Sequence, residues 1–443
     1  MGVINPIKLL LISFLIWFLI YIQIPVKYLY TGNLFFPLLT LFLFITSFIC
    51  GIISLKTSSV KSLLKPRNSK IKQIVYVLFL MGLLGVMLKI YAGFFNSKIF
   101  VSDNIFEQRI ENMDKELTGG YIGVIGAILF PFSFVSLLMV LYNYRIFSNV
   151  FILFSILVGS YPFVETIFMG GRTIIALLGT TLVFVLIASY SKNARIPMKR
   201  VTWFGTLLFK MPTVLFKKRV SIPLVLIGIV FISYSFNVVN TRLKRFGYGN
   251  KTLKVWERKD YQWVEFNKDF LAEYYKAGNE EQAKMIGLYS LKHYFAHGVV
   301  EYIRMVNHLD YSTGYYYGQY EFDVFFKFFR SFGVPLKSGV QMQSILKRKA
   351  VYSTFFGPFY IDFGFFGVVI LFFWGRFTKR VYIHAQDRNT EYVVFYGYLA
   401  TIIITSAFIN FLLGSSSYYL FAFFISLLLF KFWPNRLVLK REP

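Results

Sequence analysis

The chain has 443 residues, 56% of them hydrophobic and 20% aromatic, with a mean hydropathy of +0.57. Because the apolar residues come in long runs, these totals exclude an ordinary water-soluble protein and indicate a polytopic membrane protein. A formal net charge of +27 would suit nucleic acid, but the positive residues crowd between apolar runs, as membrane orientation requires, so no nucleic acid partner is expected.

Taken in chain order, apolar runs long enough to cross a bilayer fall at 7–24, 34–55, 72–95, 119–142, 147–168, 171–190, 220–239, 354–375, 392–411 and 414–432. The predicted fold is therefore an all-α polytopic integral membrane protein with about 10 transmembrane helices. The first run has a charged start but no small-residue cleavage signature after it, so it reads as a retained span rather than a signal peptide. Cys50 is the only cysteine, which excludes intrachain disulfides and cysteine-based zinc or redox sites.

The stretch 56–72 carries Lys56, Lys61, Lys65, Arg67, Lys70 and Lys72 and no acid, and 191–219 carries eight basic residues from Lys192 to Arg219, again with no acid. Both belong on the cytoplasmic side. The stretch 376–391 and the tail lean the same way. Counting spans from either end puts both termini inside and one long insert outside. The chain divides into 1–239 with seven spans, 240–353 as a large external loop with amphipathic helices, and 354–443 with three spans and a cytoplasmic tail. The basic excess of the insert exceeds what orientation explains and suits anionic lipid headgroups or a phosphorylated substrate.

Within the insert, Met285 to Leu309 has helical periodicity. His293, His297, Glu301, Arg304 and His308 follow one another at spacings of four, four, three and four, which places all five within an arc of about 80° on one helix. Leu288, Phe295, Val299, Ile303 and Val306 occupy the other faces. The stripe is either the solvated face of an amphipathic helix or a wall of an active-site cavity.

Two further stretches offer chemistry. Met169 to Thr173 (MGGRT) joins two spans on the outer side, with Glu165 one or two turns earlier. Arg172 there either snorkels to lipid or pairs with Glu165, or it clamps a diphosphate, whose oxygens match the planar fork of guanidinium donors. Tyr352 to Gly367 (YSTFFGPFYIDFGFFG) leads back into the membrane, with Asp362 inside an otherwise apolar run. Asp362 either hydrogen-bonds neighbouring segments or faces substrate. Tyr315 and Tyr317 are interfacial anchors or platforms for sugar rings. Lys89, late in its span, reads as a snorkelling residue. His293 and His297 stand four apart, but without HExxH or a DxD pair no metal or other cofactor is expected.

GGRT opening a span on the outer side, a single large external loop containing HLDYSTGYYYGQYEFD, and YSTFFGPFYIDFGFFG returning to the membrane together resemble the bacterial O-antigen polymerases, or oligosaccharide repeat-unit polymerases, over roughly 165–375. The resemblance implies a glycosyltransferase of the bacterial inner membrane that works on its periplasmic face in lipopolysaccharide or capsule biosynthesis. It would move a growing glycan from undecaprenyl diphosphate onto an incoming lipid-linked repeat unit. Implied partners are the lipid-linked glycan, membrane lipids and a chain-length regulator. On this mapping Arg172 matches the family's arginine after the fifth span, and Asp362 with Gly364 matches the re-entry motif. Spacing and chemistry, not the mapping, add His297, Glu301 and Arg304 to Asp362 as catalytic candidates, and Glu165, His308, Tyr315 and Tyr317 to Arg172 as substrate-binding candidates. An O-antigen ligase has the same layout, and a transporter or flippase of lipid-linked glycans is the alternative from another class, although inverted repeats are absent.

Overall fold

The computed structural model describes residues 3–30, 32–57, 66–95, 120–168, 172–193, 233, 253, 264–309, 315–331, 333–337, 342 and 352–434. Among these the chain is almost wholly helical. In order they form α1 (Pro6–Tyr21), β1 (Val26–Tyr28), α2 (Phe35–Ser54), α3 (Asn68–Phe95), α4 (Gly120–Leu129), α5 (Pro131–Tyr142), α6 (Asn149–Gly159), α7 (Tyr161–Phe168) and α8 (Thr173–Asn193). Then come β2 (Val264–Phe266), α9 (Lys268–Lys276), α10 (Asn279–His308), α11 (Asp323–Ser331), α12 (Gly357–Phe363), α13 (Gly367–Gln386), α14 (Thr390–Ile404) and α15 (Ser417–Phe432).

Seven helical stretches among the described residues are long and apolar enough to cross a bilayer: Phe35–Ser54, Asn68–Phe95, Ile122–Tyr142, Asn149–Ile167, Thr173–Tyr190, Gly357–Gln386 and Gly414–Phe432. This is fewer than the ten runs read from hydropathy. Two of the missing runs are the shorter apolar helices α1 and α14, of 16 and 15 residues, which reach only about 22–24 Å at the α-helical rise. The run at 220–239 lies almost entirely outside the described residues. A boundary also moves. The predicted run 354–375 is displaced towards the C-terminus, because α13 continues to Gln386 and carries Arg376, Lys379 and Arg380 on its own turns rather than in a loop.

Local sequence sets the breaks. Asn5 accepts from the Ile7 N–H at 2.9 Å and Pro6 opens α1, a cap and a first-turn proline in their preferred places. Pro131 cannot donate to the preceding turn and divides α4 from α5, and α12 stops where Gly364 takes a φ of +52°. Close packing uses small residues. Gly51 of α2 abuts the Phe372 carbonyl, Gly375 of α13 abuts the Phe48 carbonyl, and Gly82 and Gly85 of α3 seat the backbone of Phe130 to Ser133. In a bundle surrounded by lipid such approaches replace the hydrophobic drive as the source of helix association.

Long-range contacts sort into two ends of the bundle. At one end Asn143 and Thr390 share hydrogen bonds, Tyr396 donates to the Ile4 carbonyl, and Trp433 donates to Gln73. At the other, β1 pairs antiparallel with β2 in the register Val26↔Phe266, Lys27↔Glu265 and Tyr28↔Val264, which ties the α1–α2 connection to the insert. The same end holds α10, the start of α8 and the non-helical stretch between α14 and α15. That stretch is buried at Ala407, Phe411 and Leu412, so its backbone groups need partners inside the protein. The Ser13 hydroxyl accepts from the Ala407 N–H at 3.1 Å, the Ser406 carbonyl accepts from the Phe355 N–H at 2.7 Å, and the Asn410 side chain accepts from the Leu412 N–H at 2.7 Å.

Candidate functional site

The predicted amphipathic helix exists and is longer than its periodic core, running from Asn279 to His308 as α10. Its polar stripe is not solvated. His293, His297, Glu301 and Arg304 are 5–7% exposed, and only His308, in the last turn, is half-buried. The helix is pressed between α1, where the Trp17 indole donates to the Ala296 carbonyl at 2.9 Å, and the stretch following α14, where Gly298 meets the Ala407 and Phe408 carbonyls. Of the residues on the other faces, Val299, Ile303 and Val306 are buried, Phe295 sets its ring edge-on to Phe408 at 5.5 Å, and Leu288 is exposed.

Burying four ionisable side chains requires polar partners, and they are present. The Arg304 guanidinium donates to Glu301 at 2.7 Å and to the Leu29 carbonyl at 3.2 Å. Glu301 is thereby committed to its own helix neighbour. The Tyr28 hydroxyl and His293 Nδ1 share a hydrogen bond at 3.0 Å, and burial pushes the Tyr28 hydroxyl above its ordinary pKa. His297 Nδ1 lies 2.8 Å from the His293 carbonyl. A carbonyl only accepts, so Nδ1 carries the hydrogen of this bond, and Nε2 is the ring nitrogen at which a proton would be gained or lost.

The rings form a continuous column. Tyr28 stacks on His293 with centroids 5.7 Å apart, and His293 stacks on His297 at 5.2 Å and 15°. His297 in turn lies 5.8 Å from the Tyr294 ring, which contacts Tyr352 edge-on at 5.7 Å. The Thr173 hydroxyl is 2.9 Å from the Tyr352 hydroxyl and 3.3 Å from that of Tyr294. Arg172, at the foot of α8, closes the column with its guanidinium 4.9 Å from the centre of the Tyr294 ring. The structure thus brings Arg172 and the α10 stripe, 125 positions apart at His297 by sequence numbering, against the ring of one tyrosine.

Glu165 does not pair with Arg172. It is buried in α7 and accepts from Lys89 at 2.7 Å, and Lys89 also lies 5.5 Å over the Phe130 ring. The expectation that Lys89 snorkels is corrected accordingly: an acidic partner within reach inside the bundle competes better than distant water.

Asp362 is fully buried, and its two carboxylate oxygens accept from the Tyr320 and Glu321 N–H groups at 3.0 and 2.8 Å. It holds the turn ahead of α11. Glu321, also fully buried, is gripped by Asn410, whose amide donates to both carboxylate oxygens at 2.9 Å and lies 3.2 Å from the Phe355 carbonyl. Burial holds the Glu321 carboxyl well above its ordinary pKa; the Asn410 amide opposes that rise and the neighbouring Asp362 adds to it. Tyr315 and Tyr317 are 42% and 72% exposed, and their rings meet edge-to-face at 6.4 Å.

Tyr28, Tyr294, Tyr352, Glu321 and Asn410 were not singled out from the sequence. The tyrosines sit among 31 of their kind, and only the fold shows which of them touch Arg172 or a histidine. No family model, curated protein or solved structure matches the chain.

Proposed function

We propose that the protein is a glycosyltransferase that polymerises undecaprenyl-diphosphate-linked oligosaccharide repeat units into a surface polysaccharide, on the periplasmic face of a bacterial inner membrane. The observation that carries this reading is the placing of a cation, Arg172, and an imidazole whose Nδ1 is engaged by a backbone carbonyl, His297, against the one ring of Tyr294. Together with the likeness of GGRT and YSTFFGPFYIDFGFFG to the repeat-unit polymerases, this supplies the two functions that transfer from a lipid diphosphate needs.

The acceptor hydroxyl oxygen forms a bond to the anomeric carbon of the donor glycan. The bond from that carbon to the diphosphate oxygen breaks, and the electron pair leaves with the lipid diphosphate. Arg172 stabilises the charge that gathers on the departing diphosphate. His297 Nε2 takes the proton of the acceptor hydroxyl. Of the carboxylates considered from the sequence, Glu301 is paired with Arg304 and Asp362 is occupied by two backbone N–H groups; of the histidines, His297 is the one in contact with the ring of Tyr294, and it is taken as the base. Arg304, bound to Glu301 and Leu29, acts in this reading by holding the wall on which His297 stands.

Incubating the purified protein with a single lipid-linked repeat unit tests the reading. A ladder of products is expected. One product, formed only when lipid A core is added, would identify a ligase instead, and no new glycosidic bond under either condition would overturn glycosyl transfer altogether.

A further inference from the structure

Two non-glycine residues among those described have left-handed backbone, Tyr317 at φ 52° and Arg388 at φ 64°. Arg388 needs no special account. It follows the C-cap of α13, donates its N–H to the Ala385 carbonyl at 3.0 Å, and occupies the position where helices habitually end left-handed. Tyr317 ends no described helix. It precedes Gly318, itself at φ 90°, and is pinned by its N–H to the Asp362 carbonyl at 3.0 Å. For a bulky side chain this is an unfavourable backbone region that glycine or asparagine would occupy more easily.

Burial does not offset that cost, because Tyr317 is 72% exposed while its neighbour Tyr316 is 3% exposed. What the conformation achieves is to set the ring of Tyr317 beside that of Tyr315. Tyr315 packs directly over the Gly364 backbone, where any β-carbon would collide with its ring, and Tyr317 stands edge-to-face against Tyr315 at 80°. A membrane anchor needs only an amphipathic ring at the right depth, which unstrained positions supply. A fixed aromatic face with water on its other side is what the apolar C–H face of a pyranose requires, its hydroxyls remaining hydrated. Just beyond Gly364 the surface turns apolar, with Phe365 edge-on to Phe36 at 5.4 Å and Phe366 62% exposed. The exposed tyrosine pair and an apolar aromatic surface therefore adjoin.

We infer that Tyr315 and Tyr317 form a carbohydrate-stacking subsite, in which the exposed face of Tyr317 takes one pyranose ring of the lipid-linked saccharide. Asp362 is its positioning residue, since its carbonyl and carboxylate hold residues 317, 320 and 321. This inference rests on the glycan-transfer reading and adds the place where the saccharide is held.

The test compares binding of lipid-linked saccharides extracted from the source cells with binding of bare polyprenyl diphosphate, using the full chain in nanodiscs. Tyr317→Asn keeps a residue that tolerates the left-handed backbone but removes the ring; Tyr317→Phe keeps the ring. Tyr317→Asn is expected to weaken binding of the glycosylated lipid about threefold to tenfold, the range of an aromatic face contact. It should leave bare polyprenyl diphosphate within about twofold and leave Tm unchanged or higher, while Tyr317→Phe binds as wild type does. If the wild-type protein prefers the glycosylated lipid and Tyr317→Asn keeps that preference in full, the subsite is wrong and the glycan-transfer reading stands. Equal weakening of both lipids would make Tyr317 a membrane anchor and overturn the subsite. If the wild-type protein binds both lipids equally, the glycan-transfer reading fails and the subsite falls with it.

Discussion

The Arg172 guanidinium lies 4.9 Å over the ring of Tyr294, and the hydroxyl of that same tyrosine is 3.3 Å from the Thr173 hydroxyl. Among the described residues Arg172 is thus held by a face and not by an acid. A cation over an aromatic ring keeps its donors directed outward, whereas a salt bridge would consume them. Tyr294→Phe retains the face and is expected to keep most activity. Tyr294→Leu removes it and should lower kcat/KM about tenfold, the loss expected of a partly desolvated cation–π contact. Arg172→Lys should lose more than Tyr294→Phe, because the planar fork goes with the guanidinium. The kinetics of glycan transfer by the three variants check the order.

Lys89 and Glu165 form a close pair inside the bundle, with 20% and 9% of their side chains exposed. Glu165→Ala leaves an ammonium without its partner and should destabilise the protein by about 3 kcal/mol, whereas Lys89→Met combined with Glu165→Leu should recover most of that loss. Thermal unfolding in detergent measures both. Since Arg172 is not the partner of Glu165, Arg172→Ala and Glu165→Ala should act additively on stability; strong coupling between them would mean that the ion pair is wrongly drawn.

Glu321 gives a pH dependence with a defined sign. Its folded pKa is raised by burial above the ordinary 4.5, so between that value and the raised one the folded chain holds a proton that the unfolded chain has released. Stability must then fall as pH rises through that window. Glu321→Gln removes the titration but keeps an oxygen for the Asn410 amide. It should flatten the slope and match or exceed wild type at the upper end. An unchanged slope in the variant would assign the pH dependence to another group.

Orientation is checked with an impermeant thiol reagent in a Cys50→Ser background. Asn279, at the start of α10, and Arg388, between α13 and α14, are both exposed and lie at opposite ends of the bundle. Asn279→Cys should be labelled from outside intact cells and Arg388→Cys only after permeabilisation. The reverse pattern would turn the molecule over.

Much of the fold was legible because the chain's local signals agree with its tertiary structure. Spacings of three and four fixed the stripe from His293 to Arg304, and the three-residue step from Glu301 to Arg304 is the reach of an ion pair along a helix. The break at Pro131 was not read, because the apolar run 119–142 continues through it. Hydropathy stopped α13 too early because Arg376, Lys379 and Arg380 end an apolar window without ending a helix. Whether the stripe was wet or buried was not legible, since burial is conferred by Trp17, Tyr28 and Phe408, none of them near α10 in sequence. Asp362 was recognisable as an ionisable group in an apolar run, but its partners 41 and 42 positions earlier were not, and the grip of Asn410 on Glu321 spans 89.

The ribbon of β1 and β2 constrains the order in which the molecule can be completed. Synthesis runs from the N-terminus, so α1, β1 and α2 emerge while their partners in the insert do not yet exist. Tyr28 waits for His293, 265 positions later, and until then the edge of β1 and the aromatic face of α1 have nothing to close on. Chains interrupted before Val264 therefore lack the strand that β1 pairs with, and an unpaired strand edge invites pairing with another chain.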